Sequence, residues 1–451
     1  MINFFVNISY LIANTCMILA IKMLSAPQTA RKGNLIGIMG MFWAIAAALI
    51  SLHLSSYILP IIIIALGAGV GISIACKVKI TALPQMIAAL NGLGGLAAVF
   101  ISLSEVISSS QNNVSNIMSL LIGGITFSGS VVAFIKLNYP QWSKSISFPW
   151  QYLVNLILLL AALGFALGYV LRGHPEAFYI LVLMSLSLGV LLILPVGGAD
   201  IPVVISFLNA CSGWAGVFVG ISLQSPVLIV IGTIVGAGGT FLSRTMTKAL
   251  NRSLLNILIG GFSMQKSENN LREEKIANVG SPADAAFLME NASKIIIVPG
   301  FGMAAAHAQH ALKNMADILR DKYQAEVKFA IHPVAGRMPG HMNVLLAEAN
   351  VDYADVFELD DINDEFQNAD VAYVIGANDI TNPQAKTNPN SPIYGMPILD
   401  VAQAKTVFFV KRSLNAGYSN VENPLFFASN TFMLYGDAAH ITEEIVKYLE
   451  A

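Results

Sequence analysis

The chain divides by the length of its apolar runs. Up to residue 262, nine runs of mostly apolar residues are each close to the length of about 20 residues that crosses a hydrocarbon core roughly 30 Å thick. They lie near 3–24, 35–52, 57–76, 83–104, 117–137, 152–171, 178–195, 201–222 and 226–246. The pattern predicts a polytopic α-helical membrane bundle of about nine spans, of which the second and seventh are the weakest because they are short.

Beyond this region the apolar runs become short. Residues 263–291 are polar and are interpreted as a linker with some helix. Strands are then predicted at Lys294–Val298, Val327–Ile331, Asp355–Glu358, Val371–Ile375, Thr406–Val410 and Thr431–Leu434, and helices at Met303–Lys322, Met342–Ala349 and Ala438–Leu449. This alternation predicts a Rossmann-like α/β domain with a doubly wound parallel sheet over 292–451.

Composition and charge indicate that the first part of the chain lies in lipid and the second part in water. Hydrophobic residues make up 55% of the chain and charged residues 12%, which excludes a soluble, disordered or coiled-coil protein. Residues 1–262 carry 11 basic and 3 acidic side chains, whereas the rest carries 14 and 24. With the N-terminus outside, ten basic residues, Lys136 among them, fall in inside loops and only Arg172 falls outside, which predicts a cytoplasmic C-terminal domain.

Few polar groups lie in the predicted spans. Asn91 and Asn209 are candidates for a polar pathway or for interhelical hydrogen bonds, and Asp200 lies at the mouth of the eighth span. No His lies within a predicted span, and no acid lies at mid-bilayer. We therefore expect the chain alone to lack a group that titrates near neutral pH in the membrane centre.

A glycine-rich turn follows the first predicted strand of the second half. It reads Gly300-Phe301-Gly302-Met303-Ala304-Ala305, a G-x-G-x-x-A pattern between a strand and a helix. In that context the glycines let backbone N–H groups approach a pyrophosphate. The sequence predicts dinucleotide binding, and a tight turn without a ligand is the alternative.

The choice of dinucleotide follows from two other strand ends. The second strand ends at His332-Pro333 without the acid that binds the ribose of NAD. The strand Thr406–Val410 leads into Lys411-Arg412-Ser413, two cations and a hydroxyl that suit a phosphomonoester. NADP is therefore favoured over NAD, with a solvated basic pair as the alternative.

Three further loops end predicted strands, where ligands bind in open α/β sheets. They are Val334–His341, Gly376–Asp379 and Asn415–Tyr418. Arg337 is a candidate phosphate partner, and Asp379 is the candidate titratable group beside a nicotinamide. No metal site is predicted, because His307 and His310 lack a third ligand and the acidic run 360–365 is typical of an exposed helix start.

Taken together, these stretches closely resemble the beta subunit of the proton-translocating NAD(P) transhydrogenase over the whole chain. The motifs that carry the resemblance are Gly-Gly-Ala-Asp-Ile-Pro-Val-Val, Ser-Gly-Trp-Ala, Pro-Gly-Phe-Gly-Met-Ala, His-Pro-Val-Ala-Gly-Arg-Met-Pro-Gly-His-Met-Asn-Val-Leu-Leu-Ala-Glu-Ala, Gly-Ala-Asn-Asp and Lys-Arg-Ser-Leu-Asn-Ala-Gly-Tyr.

The resemblance implies an enzyme subunit that binds NADP(H) and exchanges hydride with NAD(H) on a separate alpha subunit, coupled to proton translocation. It implies a proton-channel domain at 1–262, the linker at 263–291 and an NADP(H)-binding domain at 292–451. Implied partners are the alpha subunit, in a dimer of alpha–beta units, and the lipid of a bacterial inner membrane, without nucleic acid.

The resemblance also assigns residues. Asn91, Asp200, Asn209, Arg252 and Ser253 would form the proton route and its coupling to the soluble domain, with Asp379 near the nicotinamide. The expected cofactor-binding residues are Gly300, Phe301, Gly302, Val334, Ala335, Gly336, Arg337, Met338, Pro339, Gly376, Ala377, Asn378, Asp379, Ile380, Gly395, Met396, Lys411, Arg412, Ser413, Leu414, Asn415, Ala416, Gly417, Tyr418, Asp437 and Ala438.

One position departs from the family pattern. Many members carry His where this chain has Asn91, and that His is the proton-relay group. The departure implies a branch in which the His lies on a transmembrane helix of the partner. Two other function classes are alternatives, a nucleotide-gated transporter and an inert membrane anchor. The first lacks a selectivity filter or a charged midplane site in the sequence, and the second leaves Asp200 and the two Asn residues unexplained.

Overall fold

A computed structural model describes residues 2–24, 27–51, 56–108, 113–142, 145–172, 175–258, 277–415, 417, 419 and 421–451. Within these ranges, nine helices are long and apolar enough to cross a membrane. They are α1 (Ile2–Leu24), α2 (Pro27–Ser51), α3 (Ile58–Lys77), α4 (Leu83–Ser108), α5 (Val114–Asn138), α6 (Gln151–Arg172), α7 (Pro175–Ile193), α8 (Ile201–Ser222) and α9 (Pro226–Ala249). The protein is a multi-pass membrane protein, as the apolar runs predict.

Small residues let several of these helices approach closely. A Cβ at Gly95 of α4 would lie 2.6 Å from the carbonyl oxygen of Gly123 in α5. A Cβ at Gly213 of α8 would lie 2.2 Å from the backbone nitrogen of Gly236 in α9. Lipid tails supply no hydrophobic force between helices, so such backbone contacts are what holds a bundle together.

The second half contains the predicted parallel sheet. Its strands are β1 (Lys294–Pro299), β2 (Glu326–Ile331), β3 (Val356–Glu358), β4 (Val371–Ile375), β5 (Thr406–Lys411) and β6 (Thr431–Tyr435). They pair in the order β3-β2-β1-β4-β5-β6, and every pair is parallel. The strands are apolar along most of their length because helices cover both faces of such a sheet. The Rossmann-like architecture is confirmed.

The helices of this half are short. They are α10 (Leu254–Leu258), α11 (Pro282–Glu290), α12 (Phe301–Ala306), α13 (Gln309–Asp321), α14 (His341–Glu348), α15 (Leu359–Ile362), α16 (Gln384–Thr387) and α17 (Ala438–Glu450). Helix α11 lies in the predicted linker and begins with a capping box formed by Ser281 and Asp284. The rest of that linker, 263–276, lies outside the described residues, so the domain boundaries stay predictions.

The single helix predicted over Met303–Lys322 is wrong. The chain breaks at His307, which adopts the left-handed conformation with φ +55° and ends α12 after six residues. The N–H of Ala308 donates to the carbonyl of Met303, which closes the turn in the manner of a Schellman motif. Helix α13 then starts in a new direction at Gln309.

The chain forms two compact units. The first consists of residues 1–134, 150–193 and 207–241, and the second of residues 135–149, 194–206 and 242–451. The second unit therefore contains the whole α/β sheet together with the C-terminal ends of α5 and α9 and the start of α8.

Candidate functional site

The sheet changes direction between β1 and β4. From β1 the strand order runs one way to β2 and β3, and from β4 it runs the other way to β5 and β6. The connections therefore leave these two strands in opposite directions and open a crevice at their C-terminal ends. Ligands of open α/β sheets bind at this point, and the glycine-rich turn 300–302 lies there.

Glycines bring the two strand ends into direct backbone contact. The N–H of Gly300 donates to the carbonyl of Ile375 over 2.9 Å, and that of Gly302 donates to the carbonyl of Gly376 over 2.8 Å. A Cβ at Gly302 would lie 2.5 Å from the Cα of Gly376. Side chains at these positions would fill the crevice, so its floor is bare backbone beside the N-terminus of α12.

A cavity of about 530 Å³ opens over this floor within the second unit. Twenty of the residues expected from the sequence line it. They are Asp200, Arg252, Gly300, Phe301, Gly302, Val334, Ala335, Gly336, Gly376, Ala377, Asn378, Asp379, Ile380, Met396, Lys411, Arg412, Ser413, Asn415, Gly417 and Ala438.

Other expected residues lie elsewhere or are not described. Among the described residues, the expected ones outside the cavity lining are Asn91, Asn209, Ser253, Arg337, Met338, Pro339, Gly395, Leu414 and Asp437. Ala416 and Tyr418 lie outside the described residues. The expected site residues do not include seven lining residues, namely Leu250, Ala305, Pro392, Ile393, Val410, Ser419 and Gly436. Two of these have a signal in the sequence: Ala305 ends the G-x-G-x-x-A pattern, and Ser419 is a hydroxyl next to the predicted Gly417–Tyr418 loop.

Asp379 is an acidic residue of the cavity lining, as is Asp200. Ser419 holds both of its carboxylate oxygens, with the backbone N–H donating over 3.0 Å and the hydroxyl over 2.7 Å. Burial raises the pKa of this carboxyl, against the Ser419 hydrogen bonds and the positive charge of Lys411. Asp379 is thus a carboxylate held in place by Ser419, with a pKa above its ordinary value.

Lys411 and Arg412 end β5 at the cavity with different surroundings. The Lys411 ammonium donates to the carbonyl of Asn415 over 2.7 Å and lies 4.6 Å from the centre of the Phe426 ring. Burial lowers the pKa of Lys411 to about 8, partly offset by the Asp379 carboxylate. Arg412 is exposed and donates to Asp437 over 2.5 Å. Both cations can be presented to an anionic ligand.

Arg337 lies away from the cavity lining. Its guanidinium stacks on the Phe301 ring at 4.2 Å and donates to the carbonyl of Leu137, at the end of α5, over 3.0 Å. The loop that carries it is fixed by His341, whose Nδ1 accepts the N–H of Arg337 over 3.1 Å. Burial, followed by the Arg337 charge, lowers the pKa of His341 to about 4, so this His stays neutral at physiological pH.

Asp200 and Arg252 form an ion pair at one wall of the cavity. The Nη1 of Arg252 lies 3.2 and 3.0 Å from the two carboxylate oxygens of Asp200. Only 3% of the Asp200 side chain and 14% of the Arg252 side chain are exposed. Burial raises the pKa of Asp200, and Arg252 opposes that shift. The pair stands where α8 begins and just after α9 ends.

The two asparagines expected on the proton route lie in the first unit. Asn91 is buried in α4, with 6% of its surface exposed, and Asn209 is half-buried in α8. Ser253, expected beside Arg252, accepts the N–H of Asn256 over 3.1 Å and so caps α10. The positions of Asn91 and Asn209 are compatible with a polar path, and that of Ser253 with a helix cap.

Comparison with known proteins bears on the same features. The model of the family described as NAD(P) transhydrogenase beta subunit matches residues 6–448. A protein of Rhodospirillum rubrum named NAD(P) transhydrogenase subunit beta is 48% identical over 97% of this chain and 98% of its own length. A sequence of the same name from a designated strain of that organism matches with equal identity and coverage. The match is nearly end to end, and the chain belongs to the NAD(P) transhydrogenase beta subunit family.

Proposed function

We propose that this chain binds NADP(H) in the cavity of the second unit and, with an alpha subunit that binds NAD(H), exchanges hydride between the two nucleotides. We further propose that the exchange is coupled to proton translocation across a bacterial inner membrane. In this arrangement the α/β domain lies in the cytoplasm, and two alpha–beta units form a dimer.

One observation carries this proposal. The cavity that is floored by the glycines of β1 and β4 is also walled by Asp200 and Arg252, which stand at the ends of membrane-spanning helices. A nucleotide in this cavity would touch an ion pair at the ends of two helices that are long and apolar enough to cross a membrane. A nucleotide sensor or a passive anchor needs no such ion pair in its nucleotide site.

The residues of the cavity fit NADP(H). The bare backbone at Gly300 and Gly302 and the N-terminus of α12 suit a pyrophosphate. Lys411, Arg412 and Ser413 would hold the 2′-phosphate, because two cations and a hydroxyl at a strand end form charge-assisted hydrogen bonds with it. The bound nicotinamide supplies the hydride chemistry. Asp379, fixed by Ser419, supplies a carboxylate whose charge responds to the ring.

The proposed proton route uses residues of this chain and of the partner. Asn91 and Asn209 each donate and accept hydrogen bonds and can hold water, but neither titrates. We propose that a His on an alpha-subunit membrane helix supplies the missing titratable group near Asn91. Asp200 would then accept the proton at the cavity wall. Protonation would weaken the ion pair with Arg252, and the change at Arg252 would be felt in the α/β domain.

Replacing Asp379 with Asn should change the ratio of NADP⁺ to NADPH affinity by roughly tenfold, the equivalent of one pKa unit. The oxidised ring is positive and favours the ionised carboxylate, whereas the reduced ring does not. Because the pKa of Asp379 is raised, the unmodified protein should bind NADP⁺ more tightly, relative to NADPH, as the pH rises through that pKa.

Titration of both nucleotides across pH checks this, and Asp379→Asn should flatten the profile. The matched control is Asp364→Asn, since Asp364 is exposed and lies outside the cavity lining. Equal losses of NADP⁺ and NADPH affinity, with no change in pH dependence, would make Asp379 a scaffold residue only.

The nucleotide assignment itself is tested on the fragment 268–451, which contains the complete sheet. We expect it to fold alone and to bind NADP(H) more tightly than NAD(H), because it has cations at the end of β5 and no acid at the end of β2. Isothermal titration calorimetry with the four nucleotides measures the preference. Equal affinity for the two classes would refute NADP binding on this chain.

A further inference from the structure

Lys136 is a buried cation that the sequence placed among the loop charges. The structure instead puts it in the last turn of α5, with 3% of its surface exposed. Taking an ammonium out of water is costly unless its hydrogen bonds are satisfied. A buried cation at the end of a membrane helix is therefore a candidate functional residue.

Its ammonium binds the segment that leads to Asp200. The Nζ of Lys136 lies 2.6 Å from the carbonyl oxygens of both Leu194 and Val196. These residues belong to the link between α7 and α8, residues 194–200, which ends at Asp200. The Ser145 hydroxyl donates to the carbonyl of Pro195 between them over 2.5 Å. The link is thus held by its carbonyls, and Lys136 supplies two of the bonds.

The next residue of α5, Leu137, contacts the loop that carries Arg337. The carbonyl of Leu137 accepts the hydrogen bond from Arg337, whose guanidinium stacks on Phe301 at the glycine-rich turn. Consecutive residues of α5 therefore contact the Arg337 loop and the link that carries Asp200. The Arg337 loop and the link 194–200 are therefore joined through two neighbouring residues of one helical turn, so a displacement of one can displace the other.

We propose that Lys136 is a positioning residue for the Asp200–Arg252 ion pair, and that the C-terminal end of α5 joins this pair to the Arg337 loop of the nucleotide site. The inference rests on the proposed coupling function. A cap that served only to end α7 would need neither the buried charge nor the neighbouring contact with Arg337, since ordinary backbone capping suffices for a helix end.

The test compares Lys136→Met, Lys136→Arg and Lys248→Met in the full chain with its alpha partner. Met keeps an unbranched side chain, one atom shorter, and removes the charge and the donors. Arg keeps charge and donors, and Lys248 is an exposed lysine in the last turn of α9. Hydrogen exchange of peptides covering 194–200 is measured first. Lys136→Met should raise their exchange rate by roughly tenfold or more, because the carbonyls of Leu194 and Val196 each lose a charged donor and that of Leu194 keeps the N–H of Ile146. Lys136→Arg should raise the rate less, and Lys248→Met should not raise it.

Coupling is measured next in vesicles. Lys136→Met should lower the protons taken up per hydride transferred to less than half, measured at NADP(H) concentrations that saturate the variant. If the number of protons per hydride holds while the rate falls, Lys136 is only a structural cap and the proposal is overturned. Unchanged exchange in the link also overturns it.

A second variant and a second measurement separate failure of this inference from failure of assembly or of the proposed function. If Lys136→Met does not assemble, Ser145→Ala, which removes the bond to Pro195, should move both readouts in the same direction by less, and no change there would overturn the proposal. If the unmodified complex takes up no protons, the proposed function fails, and hydrogen exchange alone then decides whether Lys136 positions the link.

Discussion

Replacing Gly376 with alanine should destabilise the α/β domain by about 2–4 kcal/mol and abolish nucleotide binding. Gly376 has φ +67°, where a Cβ costs roughly 1–2 kcal/mol. The new Cβ would also lie 2.3 Å from the Cα of Gly302 and 2.5 Å from the backbone nitrogen of Met303. Those atoms belong to the glycine-rich turn, so relief of the clash must move the turn that forms the cavity floor.

A matched variant separates strain from crowding. Gly340 has φ +69°, but a Cβ there would meet nothing within 4 Å. Gly340→Ala should therefore cost only the roughly 1 kcal/mol of backbone strain and leave binding intact. Urea unfolding of the fragment 268–451, followed by NADP titration, measures both effects. Equal destabilisation in the two variants would show that the contact between β1 and β4 is not what Gly376 provides.

Replacing both Lys411 and Arg412 with alanine should reduce NADP(H) affinity by roughly two to four powers of ten, because each charge-assisted hydrogen bond contributes roughly 1.5–3 kcal/mol. NAD(H) affinity should stay nearly unchanged, since NAD(H) lacks the 2′-phosphate. The matched control is Lys405→Ala, which removes a lysine from the opposite end of β5, where it pairs with Asp370. Calorimetric titration of the three proteins measures the result.

The pH dependence of binding gives a second check on Lys411. Because its pKa is lowered to about 8, the ammonium loses its proton as the pH rises above that value. The preference for NADP(H) should then weaken, and binding above about pH 8 should take up a proton as the phosphate restores the charge. Lys411→Arg, which stays charged, should bind without this proton uptake. A preference for NADP(H) that survives in the double alanine variant would exclude these cations as the phosphate site.

The sequence predicted the elements of this protein better than their contacts. Each of the six strands is predicted within one residue of its observed bounds, because the central strands are largely apolar and buried, which is a local signature. The break at His307 had no such signature. A non-glycine residue in the left-handed conformation is uncommon, and although His adopts it more often than most residues, a single His in a helical pattern does not predict the break.

The same distinction holds for the site. Gly300, Gly302 and Lys411 were predicted because each follows a strand, and parallel strands bring their C-terminal ends to one edge. Asp200 and Arg252 were expected as separate members of a proton route. Their pairing across 52 positions, and their place on the wall of the cavity, follow from helix packing that no sequence period records. Lys136 was misplaced for the same reason, because a lysine at a predicted span end looks like a loop charge.

The central claim is that nucleotide chemistry in the α/β domain drives protons through the membrane part of the same chain. It is tested most directly in sealed vesicles containing this chain and its alpha subunit, supplied with NADPH and NAD⁺, while external pH and hydride transfer are followed together. The account predicts proton movement in fixed proportion to hydride transferred, lost when a protonophore is added or when Asp200 is replaced by Asn. Hydride transfer that proceeds at full rate with no movement of protons in the unmodified complex would contradict it.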